Sequence, residues 1–218
     1  MREELEILQL ERLIKIVAWA YEKSSFYQKK FVDEPKINSL DDIKNLPFLT
    51  REEIIGNELD ILTLPLSSIV RISNFGGVKK FYTRGDLQNI SEMLSRSFMA
   101  ANIFRGSIVE IADDLSDSRL LDALYALESI GATVILQNVE DFIVDAKITL
   151  EDDFLSFKGF KLYAPPEIGH AGLFIPFEAG YRVQEDNFLV EILNGELVIT
   201  TLAAQAMPLI RYKTGQKI

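Results

Sequence analysis

The sequence predicts an α/β fold: an N-terminal helical lead, a mixed sheet with a βαβ unit, and a C-terminal antiparallel β portion. Three observations carry this prediction. Apolar residues recur at three- and four-residue steps between residues 3 and 21, a strand–helix–strand pattern spans residues 107–136, and Asn194-Gly195 joins two alternating apolar segments. We expect the parts to cover residues 1–66, 67–160 and 161–218, within one compact unit.

The helical lead is predicted from its periodicity and from two helix-start patterns. Its apolar stripe is formed by Leu5, Leu8, Leu13, Ile16, Val17 and Ala20. Ser39 and Thr50 are each followed three residues later by an acid, which is the pattern of a capping box. We expect these helices to be structural and to carry no chemistry.

The middle of the chain predicts a βαβ unit. Residues 107–111 and 132–136 are typical of buried strands, and residues 117–130 have a helical stripe that stops at Gly131. Because short links join strand, helix and strand, the two strands should be parallel. From residue 137 to residue 160 the pattern weakens to an acidic run and short strand-like pieces around Ile148 and residues 154–157, and we expect only a short bridge there.

The C-terminal portion predicts a hairpin. Asn194 and Gly195 tolerate the positive φ that both central positions of a primed turn require, so the segments FLVEIL and ELVITT should pair as antiparallel strands. The segment MPLIRYKTG follows at residues 207–215 and predicts an apolar approach that ends in a polar turn.

Composition excludes several classes of function. The net charge of -10 argues against a nucleic-acid partner, because neutralising phosphates requires a basic face, although a small anionic ligand stays open. The absence of cysteine excludes disulfides and thiolate chemistry. No apolar run is long enough to span a bilayer, and the first residues are charged. We therefore expect a cytoplasmic protein with no membrane partner.

A glycine pair offers the first candidate site. A short apolar strand at residues 68–72 leads into Ser73, Gly76, Gly77 and Lys79. This segment has two interpretations: a plain hairpin turn, which its short pattern favours, or a loop that presents backbone N–H groups to an anion. His170, the only histidine, has no accompanying nucleophile motif, so it receives no role and the catalytic residues stay unidentified.

The amino-acid sequences of several segments resemble those of one protein family. GELVITTL, AMPLIRY and KTG near the C-terminus, GATVI at residues 131–135, and the helical lead are similar to phenylacetate–CoA ligases, a branch of the adenylate-forming (AMP-binding) superfamily. The resemblance covers both ends and most of the middle. It is interrupted at residues 137–160, where the family has further βα units, so the chain looks internally shortened.

The resemblance implies a nucleotide site and also departures from it. In the family, a longer loop at the position of Ser73, Gly76, Gly77 and Lys79 wraps the ATP phosphates. The family's Tyr against adenine and Glu on magnesium correspond to Tyr163 and Glu167, with Pro165 and Pro166 between them in place of a hydroxyl residue. Gln216 stands where the family has the Asp that binds the ribose.

The lysine-bearing lid domain of the family begins just after the KTG turn, so we expect this chain to lack it. Three hypotheses follow. The chain is a catalytically degenerate relative kept as a binding or assembly module, a reduced ATP-dependent acyl-adenylating subunit completed by a lid in trans, or a structural partner that dimerises with an intact ligase through its helical lead.

The resemblance also implies ligands and a meeting point. ATP and Mg²⁺ would be used if the chain is active, with none bound tightly. AMP, ATP or an acyl compound is the expected small-molecule partner, and a homo-oligomer or an intact ligase the expected protein partner. Tyr163, Glu167 and Gln216 should meet in one cleft beside Gly76 and Gly77.

Overall fold

The computed structural model describes residues 2–136, 139, 141–170, 172–174 and 181–217. Its α-helices are α1 Arg2–Lys23, α2 Ser25–Phe31, α3 Arg51–Ile54, α4 Glu58–Ile61, α5 Arg84–Ala100 and α6 Ser118–Ser129, with 3₁₀ helices at Leu40–Asn45 and Leu66–Ser68. Its strands are β1 Arg71–Phe75, β2 Val78–Tyr82, β3 Ile108–Ile111, β4 Thr133–Leu136, β5 Ala146–Glu151, β6 Phe154–Phe157, β7 Phe160–Tyr163, β8 Gly172–Phe174, β9 Tyr181–Val183, β10 Phe188–Leu193, β11 Glu196–Thr201 and β12 Tyr212–Lys217.

These elements form two compact units, Met1–Asp86 with Glu185–Ile218, and Leu87–Gln184. The first unit therefore combines the helical lead with the C-terminal β portion, two parts that the sequence places far apart. It holds the β1–β2 hairpin and a three-stranded sheet in the order β10-β11-β12. The predicted α/β class is confirmed.

The first unit is built around the segment that precedes β12. The hydroxyl of Tyr27 on α2 donates to the carbonyl of Pro208 at 2.9 Å and accepts from the Ile210 N–H at 3.1 Å. Leu49 exchanges backbone bonds with Arg211 and Lys213, at 3.0 and 2.9 Å. The connector between the short helices is thus held against the start of β12.

The hairpin predicted from Asn194-Gly195 is confirmed, with six residue pairs in register from Phe188↔Thr201 to Leu193↔Glu196. Both turn residues have positive φ, 53° and 74°. The polar turn expected after it is wrong, because residues 212–217 form β12 and pair with β11. A register shift between Glu196 and Val198 absorbs the positive φ of Gly215 as a bulge in this strand.

The second unit contains a seven-stranded mixed sheet in the order β4-β3-β5-β6-β7-β8-β9. β3 pairs in parallel with β4 and with β5, and the remaining neighbours pair antiparallel. The predicted parallel pair with α6 between its strands is confirmed. The bridge of residues 137–160 supplies β5 and β6 to the same sheet, so this short segment continues the core.

Both long helices of the second unit bury apolar side chains. Phe98 on α5 is fully buried and contacts Phe157 on β6, with ring centroids 5.2 Å apart. Leu120, Ala123 and Leu127 on α6 are also fully buried. Within the described residues, no helix combines the length and the apolar character needed to cross a bilayer.

Candidate functional site

The glycine pair forms the turn of the β1–β2 hairpin. Strand pairing continues to Phe75↔Val78, so only Gly76 and Gly77 lie outside the paired positions. Their φ values, 53° and 88°, are those of a two-residue primed turn. The strand begins at Arg71, later than expected, because Leu66–Ser68 forms a 3₁₀ turn and the pairing runs on to the glycines.

Two charged residues outside the hairpin, Arg51 and Glu58, form hydrogen bonds with its backbone. Arg51 donates from Nη2 to the Gly76 carbonyl at 3.2 Å. Glu58, only 4% exposed, accepts from the Lys79 N–H at 3.3 Å and from the Gly56 N–H at 2.9 Å. Burial alone would raise the pKa of Glu58, but its bonds from backbone N–H groups lower that pKa overall. The backbone N–H of Lys79 is therefore already hydrogen-bonded to the Glu58 carboxylate.

The strand face shared by Ser73 and Lys80 carries cations. Ser73 lies directly opposite Lys80 in the ladder, and Arg71 lies opposite Tyr82. The Tyr82 ring has the Arg71 guanidinium 5.7 Å and the Lys80 ammonium 5.4 Å from its centroid. Ser73 therefore belongs to a strand face, and the tip of the hairpin consists of the two glycines alone.

Gln216 lies near the end of β12. Its side-chain Nε2 donates to the Lys217 carbonyl at 2.8 Å, and its backbone N–H donates to the Thr214 hydroxyl at 3.1 Å. Thr214 in turn donates to the Leu197 carbonyl at 2.9 Å. Gln216 is thus part of the bulged edge of the three-stranded sheet.

Tyr163 and Glu167 flank a buried turn at the end of β7. Tyr163 is 4% exposed, and its ring centroid lies 5.4 Å from that of Phe154. The N–H groups of Ile168 and Gly169 both donate to the Pro165 carbonyl, at 3.1 and 2.8 Å. Glu167 is 5% exposed, so this carboxylate lies inside the protein.

An arginine that the sequence did not single out fixes this turn. Arg119, near the start of α6, donates from Nη1 to the carbonyls of Asp152 at 2.9 Å and Ala164 at 3.2 Å. Its Nε and Nη2 donate to the two carboxylate oxygens of Asp117 at 3.0 and 2.7 Å. Burial would raise the pKa of Asp117, but the bonds from Arg119 dominate and lower it, and the nearby His170 contributes in the same direction. The turn that carries Glu167 is therefore tied to α6 through Arg119.

The predicted site residues fall into three groups. Ser73, Gly76, Gly77 and Lys79 lie on one hairpin, Tyr163 and Glu167 flank one turn, and Gln216 lies on β12. The first and third groups belong to the first unit and the second group to the second unit. Their meeting in one cleft stays a prediction.

The donor set is compatible with nucleotide-bound magnesium. Among the described residues, no group of three or more Asp, Glu or His side chains is placed to hold a metal ion. Mg²⁺ is commonly bound by one or two carboxylates together with substrate phosphates. Glu167 alone could therefore serve such an ion only if a nucleotide supplied the other ligands.

Sequence comparison finds relatives over nearly the whole chain, although no family model matches it. The phenylacetate–coenzyme A ligase of Thermus thermophilus is 23% identical, with 98% of this chain and 65% of the relative covered. Those of Escherichia coli and Aromatoleum evansii are 25% identical, each with 66% of the relative covered. The chain thus spans about two thirds of their length. The alignment with the first runs over 290 residues, more than this chain contains, so the relative has internal residues that this chain lacks.

Structure comparison finds the same fold in solved CoA ligases. A 2-hydroxyisobutyryl-CoA ligase in complex with 2-HIB-AMP and CoA has a TM-score of 0.78, with 98% of this chain and 63% of the ligase covered. The same ligase in its postadenylation state with 2-HIB-AMP has a TM-score of 0.75. Identity is 14% in both cases, so this likeness shows the fold alone. The chain is therefore similar in sequence to phenylacetate–CoA ligases over nearly its whole length, lacks internal residues that they have, and shares its fold with solved CoA ligases.

Proposed function

We propose that this chain is a catalytically degenerate relative of the phenylacetate–CoA ligases and serves as a binding or assembly module. The observation that carries the proposal is the tip of the β1–β2 hairpin, where only Gly76 and Gly77 lie outside the strand pairing. Loops that cradle phosphates present several backbone N–H groups to the anion. A two-residue turn offers at most two, which is too few to wrap a triphosphate.

Two further features support weak nucleotide binding. An ionised Asp accepts bonds from both ribose hydroxyls, whereas Gln216 has one acceptor oxygen and its amide nitrogen already donates to the Lys217 carbonyl. Bonds to a charged acceptor are about twice as strong as neutral ones, so this exchange alone costs on the order of 1–2 kcal/mol. Pro165 and Pro166 add no backbone N–H at the turn before Glu167.

A reduced, ATP-dependent ligase subunit is the second candidate, and the burial of Glu167 favours it. Glu167 is 5% exposed and lies on a turn that Arg119 ties to α6, so its carboxylate is held in a defined place inside the protein, as a ligand of nucleotide-bound Mg²⁺ would need to be. In that case ATP and Mg²⁺ would be the cofactors, and a lid on another polypeptide would complete the site. An acyl adenylate is the corresponding ligand, as in the solved 2-hydroxyisobutyryl-CoA ligase complexes.

A structural partner of an intact ligase is the third candidate, favoured by exposed apolar side chains beside the end strand of the seven-stranded sheet. Within the described part of the chain, β4 pairs with β3 alone. Leu136 is 43%, Val139 46%, Phe142 56% and Ile143 94% exposed. Clusters of this kind mark interaction surfaces in soluble proteins.

Calorimetric titration with ATP–Mg²⁺ and with AMP tests the proposal. We expect a dissociation constant for ATP–Mg²⁺ weaker than about 1 mM. The matched control is Glu167→Gln, which keeps the side-chain shape and removes the charge. Micromolar binding of ATP–Mg²⁺ that Glu167→Gln abolishes would contradict the proposal and support the reduced ligase. Co-purification of an active ligase with the wild-type chain would support the third candidate.

A further inference from the structure

The helix α1 has a second apolar stripe, separate from the one that it buries. Ile7 is 54% and Ile14 is 42% exposed, and Ala18 is exposed one turn further on. Spacings of seven and four residues place these side chains on one side of the helix. The buried side of α1 is formed instead by Gln9, Leu13, Ile16, Val17 and Ala20. Packing of α1 on its own unit requires only these buried residues, so it does not explain the exposed stripe.

The exposed stripe leads into a groove at the end of α1. The groove has a volume of about 690 Å³ and is lined by Ala18, Tyr21, Glu22, Gln28, Val32 and Glu34. Val32 is 77% exposed and has a φ of 66°, a backbone conformation that is costly for a β-branched residue. Burial of the Val32 side chain within this chain does not offset that cost. The groove is large enough to receive an aliphatic side chain.

Charges along α1 indicate what the stripe can pack against. Glu11 and Lys15 are both exposed, one helical turn apart on the same edge of the stripe. On α1 the acids at residues 3, 4, 6 and 11 precede Lys15 and Lys23, and Glu22 in the second half forms an ion pair with Lys23. The two arginines of the acidic half are engaged elsewhere, Arg2 by Glu6 and Glu185 and Arg12 by the carbonyl of Asp186.

The pair that carries the charge complementarity is Glu11 and Lys15, since Glu6 and Lys23 already have partners within α1. In a parallel pair of α1 helices, acids would face acids and lysines would face lysines. In an antiparallel pair, the acidic half of each helix faces the lysine-containing half of the other, and the helix dipoles oppose each other. A twofold axis near residue 13 then places Glu11 of each copy opposite Lys15 of the other. It also places Ile7 of each copy opposite Ala18 of the other, where the groove begins.

We propose that this stripe, Ile7, Ile14 and Ala18, is a docking surface for a second copy of this chain, with the two α1 helices antiparallel. A helix of 22 residues is about 33 Å long, and one face buries less than the roughly 800 Å² per partner of standard stable complexes. The dimer is therefore weak and concentration-dependent. This inference is independent of the proposed lack of catalysis, because self-association and pyrophosphate release are separate measurements.

Sedimentation equilibrium of the full chain over a wide concentration range tests the docking surface. Ile14→Glu places a charge in the centre of the stripe and should raise the dimer dissociation constant at least about tenfold. The matched control is Ile192→Glu, the same substitution at an isoleucine of β10 that is 61% exposed. It should change the constant by less than about twofold. Circular dichroism of each variant establishes that the helices are kept.

A charge swap identifies the second copy as the occupant. Glu11→Lys alone and Lys15→Glu alone should each weaken the dimer by about three- to tenfold, because each puts like charges opposite one another. The double variant should return to within about twofold of the wild type. A monomer at every concentration, equal weakening by Ile192→Glu, or a double variant as weak as the single ones would each overturn the proposal.

Discussion

The buried ion pair between Arg211 and Glu191 gives the sharpest stability prediction. The guanidinium donates to both carboxylate oxygens of Glu191, from Nε at 3.0 Å and from Nη2 at 2.8 Å. Its Nη1 donates to the carbonyls of Lys44 and Leu46, at 2.8 and 2.6 Å, and its centre lies 4.2 Å from the centroid of the Phe48 ring. The two side chains are 6% and 10% exposed. One guanidinium therefore joins the connector at residues 44–48 to the three-stranded sheet.

Arg211→Ala should destabilise the first unit by about 3–5 kcal/mol, because it leaves the Glu191 carboxylate buried and unpaired. Two backbone carbonyls also lose their donor. Arg211→Lys should cost about 1.5–3 kcal/mol, since a lysine cannot form the two-pronged bond or lie flat on the ring. Typical domains have only about 5–15 kcal/mol of stability, so the alanine variant should be close to unfolding.

The backbone at this position adds a second, separable effect. Arg211 has a φ of 51°, in the left-handed region that disfavours any residue with a Cβ. Arg211→Gly removes the same side-chain contacts as Arg211→Ala but tolerates this φ. We expect the glycine variant to be the more stable of the two by about 1 kcal/mol.

Urea unfolding followed by tryptophan fluorescence measures these changes, because the only tryptophan, Trp19, lies on α1 in the same unit. Lys213→Ala is the matched control. Its ammonium also lies near the Phe48 ring, at 4.9 Å, but the side chain is 39% exposed and should contribute less than about 1 kcal/mol. A loss below about 1 kcal/mol for Arg211→Ala, or one equal to that of the control, would refute the reasoning.

Three further predictions concern other parts of the chain. Tyr27→Phe removes both bonds to residues 207–210 and should cost about 1–3 kcal/mol in the same urea assay; a change below about 0.5 kcal/mol would contradict this. The lowered pKa of Asp117 supplies stability that is present above its ordinary pKa of 3.8 and is lost as pH falls through the folded value. The protection factors of the α6 amides, which are corrected for the intrinsic pH dependence of exchange, should therefore fall on acidification in the wild type and depend less on pH in Asp117→Asn. Gly76→Asn should cost less than about 1 kcal/mol, since asparagine suits the first position of a primed turn and its Cβ displaces only the end of the Arg51 side chain. Gly77→Val should cost more than about 1 kcal/mol, and equal losses would exclude this turn type.

Local signals in the sequence predicted the elements that depend on neighbouring residues. Asn194-Gly195 predicted both the turn and the register of its hairpin, because a primed turn of two residues determines which residues face each other. The βαβ unit was predicted for a similar reason, since its strands and helix follow one another with short links.

The sequence could not predict how distant segments join. β5 pairs with β3, although 34 residues separate the two strands in the chain. Nothing in the sequence of Ala146–Glu151 indicates that β3 is its neighbour. The sequence predicted a turn where β12 lies, because glycine is a typical turn residue. In the structure, Gly215 lies at a bulge of this strand.

The candidate site was predictable only in part for the same physical reason. The hairpin turn at Gly76-Gly77 was one of two interpretations that the sequence allowed. Arg119 and Arg211 left no local signal, because their carbonyl partners lie 33 to 45 and 165 to 167 residues away. A buried charge is recognised by the groups that surround it, and those are assembled only by the fold.

Release of pyrophosphate from ATP measures whether the chain catalyses acyl adenylation. The purified chain is incubated at high concentration with ATP–Mg²⁺ and a panel of aryl and short-chain acids, beside the Glu167→Gln variant. Folded wild type and variant should give the same background, because the two-residue turn at Gly76-Gly77 offers at most two backbone N–H groups to a phosphate. Acid-dependent turnover by the wild type that Glu167→Gln abolishes would contradict the proposed loss of catalysis and establish the chain as a reduced adenylating ligase.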